Sequence, residues 1–271
     1  MPPSRLIALM SDFGLRDPFV GIMKGVILGI NPSALVVDLC HEIEPGDTRG
    51  AAFALRTALP YFPESTIFVV VVDPGVGTKR RAIAVELDGR IVVAPDNGVL
   101  SWVLKGHPSQ PAVELTNSKF FLSPVSATFH GRDIFAPVAA HLSNGVPLAE
   151  FGPAVDDLTT FPIPDVSVGA ESLQGEVVYI DRFGNLVTNI GRQELEGWRR
   201  DLLAEEVNVR VASAEIGGIH ESYGAAPLGH VVAVFGSAEL LEIAVNQGNA
   251  ADSLGVTVGS NVSVYRLAIR R

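Results

Sequence analysis

Residues 69–80 read VVVVDPGVGTKR, so a run of four valines stops on a carboxylate, Asp73, and a cation, Arg80, follows seven positions later. Four consecutive valines cannot alternate between a wet and a dry face, so this strand is expected to be covered on both sides, as in a parallel sheet. Ligands of such sheets collect beyond the carboxyl ends of the strands, where Asp73 would stand. Gly75 and Gly77 allow a tight turn that could return Arg80 to the acid. His130, in the segment TFHGRD, adds a titratable ring. An acid, a fixed cation and an imidazole together can polarise water. Each also has a plainer reading: Asp73 as a turn cap, Arg80 as a solvated charge, His130 as a structural histidine. Held by Arg80, Asp73 is expected to be a weak base and a well-oriented acceptor, suited to holding water rather than deprotonating it.

Other candidates lie apart from this run. Asp12 and Asp17 flank a glycine turn after the first apolar stretch. A carboxylate offers only acceptors and so suits the vicinal hydroxyls of a ribose, the reading favoured for Asp12. Asp17 precedes Pro18 and reads rather as the N-cap of the next helix. IDRFGNLVTN at 180–189 supplies Asp181, Phe183 and Asn185: a carboxylate, a stacking surface and an amide able to read a purine edge. The same FGN could simply satisfy a turn. FGSAELLEIAVNQGNAA at 235–251 adds Ser237 and Glu242, the latter read by itself rather as a solvated face charge. Neither GxxxxGK[ST] nor, after the first strand, GxGxxG occurs, so phosphate-loop and dinucleotide readings drop out. Cys40 lacks a nucleophile elbow. A metal site from Asp12, His41, Asp73 and His130 has no HxxxH or HxH spacing behind it, and none is expected.

The elements that must position these residues follow from the hydrophobic pattern. Strands are expected at 5–10, 34–39 and through the valine run, with helices at 19–30 (Ile22, Val26, Ile27 and Ile30 on one face) and 47–59, the rhythm of parallel βαβ units. Residues 82–87 and 90–94, joined by Asp88 and Gly89, read as a hairpin. A short helix contains Trp102, and the latter part of 127–142 is helical. A proline-rich stretch separates residues 1–162, an α/β domain with a mostly parallel sheet, from residues 173–271, with 163–172 as linker. The second domain holds short β-rich runs between polar turns, which predicts an all-β, barrel-like fold. With 271 residues, 47% of them hydrophobic, the chain can build both cores. A net charge of −10 and no long basic run argue against nucleic acid and anionic membranes as partners and favour a small ligand. One cysteine, no apolar stretch long enough to span a bilayer and no secretory pattern in MPPSRLIALMSDFG lead to the expectation of a cytoplasmic protein.

Taken in order, SDFGLRDPFVGIMKGVI, VVDPGVGTKRRAIAV, APDNGVLS, TFHGRDIFAPVAAHL, IDRFGNLVTNI and FGSAELLEIAVNQGNAA resemble the SAM hydroxide adenosyltransferases, hydrolase relatives of the SAM-dependent fluorinase and chlorinase. The resemblance covers nearly the whole chain. It implies hydrolysis of S-adenosyl-L-methionine to adenosine and L-methionine, with no cofactor, the sulfonium compound being the substrate. It also implies a homotrimer whose sites lie between one subunit's first domain and its neighbour's second. Asp73, Arg80 and His130 carry over as the catalytic set, Asp12 as the ribose ligand and Asn185 as the adenine ligand. Asp181, Ser237, Glu242 and Val245 match positions near the base or the methionine. The halogenases carry an uncharged residue in place of the DPGVG acid, so an anionic Asp73 favours water over halide. A halogenase and a non-catalytic SAM- or adenosine-binding protein are the alternatives.

Overall fold

The computed structural model describes residues 6–107, 110–198 and 207–266. The chain divides into two compact units, Met1–Ile163 and Pro164–Arg271. The first contains β1 (Leu6–Ser11), α1 (Phe19–Ile30), β2 (Leu35–Cys40), α2 (Thr48–Ala58), β3 (Ile67–Val71), β4 (Ala82–Leu87), β5 (Arg90–Pro95), α3 (Ser101–Leu104), β6 (Ala112–Glu114) and α4 (Ala136–Ser143). The strands form one sheet in the order β2-β1-β3-β5-β4-β6. From β2 to β5 every neighbour is parallel, while β4 and β6 add antiparallel pairs at one side. The valine run lies in the middle, buried on both faces as expected: residues 69–72 are at most 2% exposed. Odd-numbered Val69 and Val71 pack against α1 and α4 residues such as Met23 and Val138, even-numbered Val70 and Val72 against α2 residues such as Leu55. Such two-sided covering is what lets an uninterrupted apolar strand persist.

Two local expectations need correction. Asp17 does not cap α1: Pro18 occupies the N-cap, with no side-chain capping bond, and its carbonyl accepts from Ile22 N at 2.9 Å. Helix α1 also turns Ile22 outward, 38% exposed, while Ile27 is buried and Val26 and Ile30 pack against the core as expected; Val20 and Met23 complete the buried stripe. Because this helix is apolar nearly all round, its composition does not mark which stripe faces the core. By contrast α2 starts as read, Asp47 Oδ1 accepting from Gly50 N at 2.9 Å.

The second unit contains β7 (Ser167–Val168), β8 (Ser172–Ile180), β9 (Leu186–Gly191), α5 (Arg192–Trp198), β10 (Val207–Val211), β11 (Ala214–Gly217), β12 (Val231–Phe235), β13 (Leu240–Val245), α6 (Ala250–Leu254) and β14 (Asn261–Arg266). Its eight strands are antiparallel, ordered β11-β10-β14-β8-β9-β13-β12 with β7 beside β8. The two ends approach each other: His220, three residues past β11, donates its backbone N–H to Ala233 of β12 at 2.8 Å. The sheet therefore nearly closes into the expected barrel, whose interior takes alternate residues such as Val207, Val209 and Val211. Of the strand runs read in the sequence, residues 5, 206 and 267–269 lie outside the described residues.

Candidate active site

Asp73 stands two residues beyond β3, where the covered strand opens to the sheet edge. Its chain neighbourhood is pinned from two directions: Asn97 Nδ2 donates to the Val72 carbonyl at 2.8 Å, and Val76 N donates to the Asp73 carbonyl at 3.1 Å. A second turn, Thr78 N to the Gly75 carbonyl at 3.1 Å, reverses the chain and returns Arg80. The guanidinium then grips the acid in the forked manner peculiar to arginine. Nε lies 2.9 and 3.0 Å from the two Asp73 carboxylate oxygens, and Nη2 also bonds Oδ2. Both side chains are nearly buried, Arg80 at 10% and Asp73 at 5% exposure. Arg81, its neighbour, does not compete for the acid: it points elsewhere, to Asp96 Oδ2 and Asp157 Oδ1 at 2.6 Å each.

The imidazole completes the cluster. His130 Nδ1 lies 2.6 Å from Arg80 Nη2. A guanidinium has no acceptor, so Nδ1 must accept, and the neutral ring carries its proton on Nε2. Burial and then the Arg80 charge hold His130 below the ordinary imidazole value of 6.5, against the opposing charges of Asp73 and Asp133. The ring is therefore neutral at pH 7 and offers an Nε2–H donor.

Close backbone approaches join the two loops that carry these groups. A Cβ at Gly77, whose φ is +75°, would sit 2.2 Å from the Ala127 carbonyl oxygen. Only glycine fits both that conformation and that space. One at Gly131 would press on Met23, Phe129 and Val71 at 3.2–3.3 Å, so the turn carrying His130 lies directly on α1 and β3.

Asp12, just past β1, accepts from Gly46 N at 2.8 Å through Oδ2 and lines the same cavity as Asp73 and His130. This cavity has a volume of about 480 Å3. Phe13, Phe19 and Phe129 form an apolar wall, their ring centroids 5.3–5.7 Å apart in tilted and edge-on pairs. All three lie inside the quoted motifs, but no role could be read for them because each looks like ordinary core. His41 is not brought to the acid: its buried ring bridges Ser11 Oγ at 2.7 Å and Asp38 Oδ1 at 3.0 Å. Of the four residues named together for a metal, His41 is thus held elsewhere, while Asp12, Asp73 and His130 line one cavity.

The remaining candidates belong to the second unit. Asp181 Oδ1 accepts from Phe183 N at 2.8 Å and Asn185 N at 2.9 Å, and Oδ2 accepts from Asn185 Nδ2 at 2.9 Å. Asp181 therefore orients the Asn185 amide, leaving its carbonyl and one N–H for a ligand. Phe183 at the turn's tip is 75% exposed. Strand register places Val187 opposite Glu242, bringing this turn beside β13. Burial, with the Asp181 charge, raises the Glu242 carboxyl above its ordinary value, and Tyr223 Oη donates to Glu242 Oε2 at 2.6 Å. Tyr223 carried no sequence signal. Ser237 is exposed in the turn between β12 and β13, whereas the Val245 side chain is in the hydrophobic core.

A carboxylate clamped by a guanidinium, which an imidazole also holds, stands at a strand mouth and lines one cavity with a second carboxylate, in an α/β unit followed by a barrel-like one. The chain matches the SAM hydroxide adenosyltransferase N-terminal domain over residues 7–152 and the C-terminal domain over 175–263, and it belongs to that family. It is 42% identical to an (R)-S-adenosyl-L-methionine hydrolase of Salinispora tropica, over 97% of this chain and 99% of the other. A fluorinase of an Actinoplanes species is a more distant relative, 34% identical over 70% of this chain and 73% of its own. A solved structure of an uncharacterized conserved protein from Thermotoga maritima superposes with a TM-score of 0.89 at 39% identity, covering 96% of this chain and all of that one.

Proposed function

We infer that this chain hydrolyses (R)-S-adenosyl-L-methionine to adenosine and L-methionine. The observation that carries the reading is the Asp73–Arg80–His130 cluster opening onto the cavity that also holds Asp12. In the proposed reaction a water oxygen bonds to C5′ as the C5′–sulfur bond breaks, and the bond pair leaves on methionine as a neutral thioether. The proton released from the attacking oxygen balances the positive charge lost from sulfur. Asp73 accepts a hydrogen bond from the water and lies near the charge that develops on it, while Arg80 keeps the carboxylate from turning away. Asp12 holds the ribose hydroxyls. The phenylalanine wall excludes competing water and presents ring faces to the sulfonium.

Asn185, oriented by Asp181, is assigned to the adenine edge, with Phe183 stacking and Ser237, Glu242 and the Val245 backbone toward the methionine. The resemblance implies a homotrimer in which neighbouring subunits share each site, and Phe183, 75% exposed at the tip of its turn, is open to such a contact. The cytoplasm is the proposed location. Among the described residues no helix is long and apolar enough to cross a membrane.

The experiment is incubation of each sulfonium epimer in oxygen-18 water, followed by mass spectrometry. Adenosine carrying one heavy oxygen, formed faster from the R epimer, is expected. A halogenated nucleoside formed with added halide would identify a halogenase, and tight binding without turnover a sequestering protein.

The His130 ring sets an acid limit. Protonation places a proton on Nδ1, against the Arg80 guanidinium, and opens the cluster. Because the pKa is displaced downward, kcat/KM should be level above the ordinary imidazole value and fall as pH drops through the lower, folded-state one. Stability has the same sign: the unfolded chain takes up the His130 proton first, so this contribution is complete above 6.5 and is lost below it. A rate profile with its acid limb above 6.5 would contradict the assignment.

A further inference from the structure

We propose that Asp133 is a positioning residue for His130, acting through Ser126 and Arg132; its catalytic consequence rests on the hydrolytic reading above. Asp133 does not line the cavity and is only 1% exposed, yet it is charged and fully engaged. Its Oδ2 accepts from Ser126 N at 2.8 Å and Arg132 Nη2 at 3.0 Å, and Oδ1 from Arg132 Nε at 2.6 Å. Its carbonyl accepts from Leu122 N at 2.9 Å, and its own N–H donates to the Phe129 carbonyl at 3.1 Å. Ser126 Oγ in turn accepts from Phe129 N at 3.0 Å.

These bonds fasten both ends of the loop 126–129, and His130 is the next residue. The loop's Ala127 carbonyl is the atom that leaves no room for a Cβ at Gly77, so a displacement at Ser126 is felt by both the imidazole and the loop of the acid. The Arg132 guanidinium, held by the same carboxylate, lies 5.4 Å from the centre of the Phe129 ring, which walls the cavity. Residues 131–135 form a single π-turn ahead of α4. Such a turn inserts a residue into the helical ladder and commonly occurs where a functional side chain must be redirected. A buried carboxylate tolerates this position only with its donors in place, so the loop and the charge are specified together.

The charged groups facing His130 are Arg80 and Asp73 from the loop after β3 and Asp133, paired with Arg132, from its own turn. Substitutions in the last pair should therefore move the ring's titration in opposite directions. The full chain, labelled with nitrogen-15 histidine and assigned with His130→Gln, is titrated without substrate. The unmodified protein is expected to show the Nε2–H tautomer. In Asp133→Asn the midpoint should fall by about half a pH unit, and in Arg132→Gln rise by a similar amount, with the tautomer signal averaged in both. Adenosine release should drop in each on the order of tenfold in kcat, with KM changed less than about twofold. Unmoved midpoints and an unaltered tautomer would overturn the proposal even if both variants melted early. Arg132→Gln, substituted at a partly exposed side chain, supplies the test if Asp133→Asn fails to fold. Should the unmodified protein release no adenosine, the hydrolytic reading fails, while the titration still decides the positioning.

Discussion

Asp73→Asn lowers the rate of adenosine release about a thousandfold, with a much smaller change in substrate affinity. Asparagine keeps the volume and one oxygen acceptor but removes the negative charge beside the attacking oxygen, where positive charge grows during the reaction. A thousandfold loss corresponds to about 4 kcal/mol, within the range for removing a preorganised electrostatic group. The substitution also leaves the Arg80 guanidinium, 10% exposed, without its anion. Breaking such a pair costs about 3–5 kcal/mol of stability, so the melting temperature falls as well. Single-turnover quenching at saturating substrate, below the variant's melting range, separates the two effects. Retention of more than about a tenth of the rate would remove Asp73 from the chemistry.

Arg80→Lys is expected to lose about a hundredfold in kcat although the charge is conserved. The arginine contacts three partners at once: both oxygens of Asp73 and Nδ1 of His130. A lysine ammonium is a point donor on a flexible stem and cannot hold a carboxylate plane and an imidazole in fixed relation. With Nδ1 released, the ring is free to take up either tautomer, and the acid limb of the pH profile should move part of the way toward the ordinary imidazole value, because burial still lowers it but the cation is no longer held against Nδ1. Full activity in the lysine variant would show that charge alone suffices and that the fork is structural.

How much of this could be read from the chain depends on how local each relation is. Asp73 and Arg80 are joined by two turns whose glycines and seven-residue spacing are visible in the sequence, and the structure closes them as that spacing allows. The apolar strand and the hairpin with Asp88 and Gly89 are likewise set by short-range pattern. Which hairpin strand joins the sheet was not legible: β5 pairs with β3 and β4 lies outside it, a choice made by packing rather than by either strand's composition. Strands β11 and β13 were not separately marked, since one is four residues long and the other follows a turn inside a run that also reads as helical. Ser126 with Asp133, Gly46 with Asp12, and Tyr223 with Glu242 are contacts that only the folded chain creates. The N-cap expected of Asp17 failed because proline itself took that position.

The one-sided tautomer of His130 limits traffic at this centre. With Nδ1 spoken for by a permanent cation, the ring cannot receive a proton on one nitrogen and pass it on from the other, so it is a post rather than a relay. Under the proposed chemistry each turnover creates one hydron, which must therefore depart from the Asp73 side of the cavity and not through the imidazole.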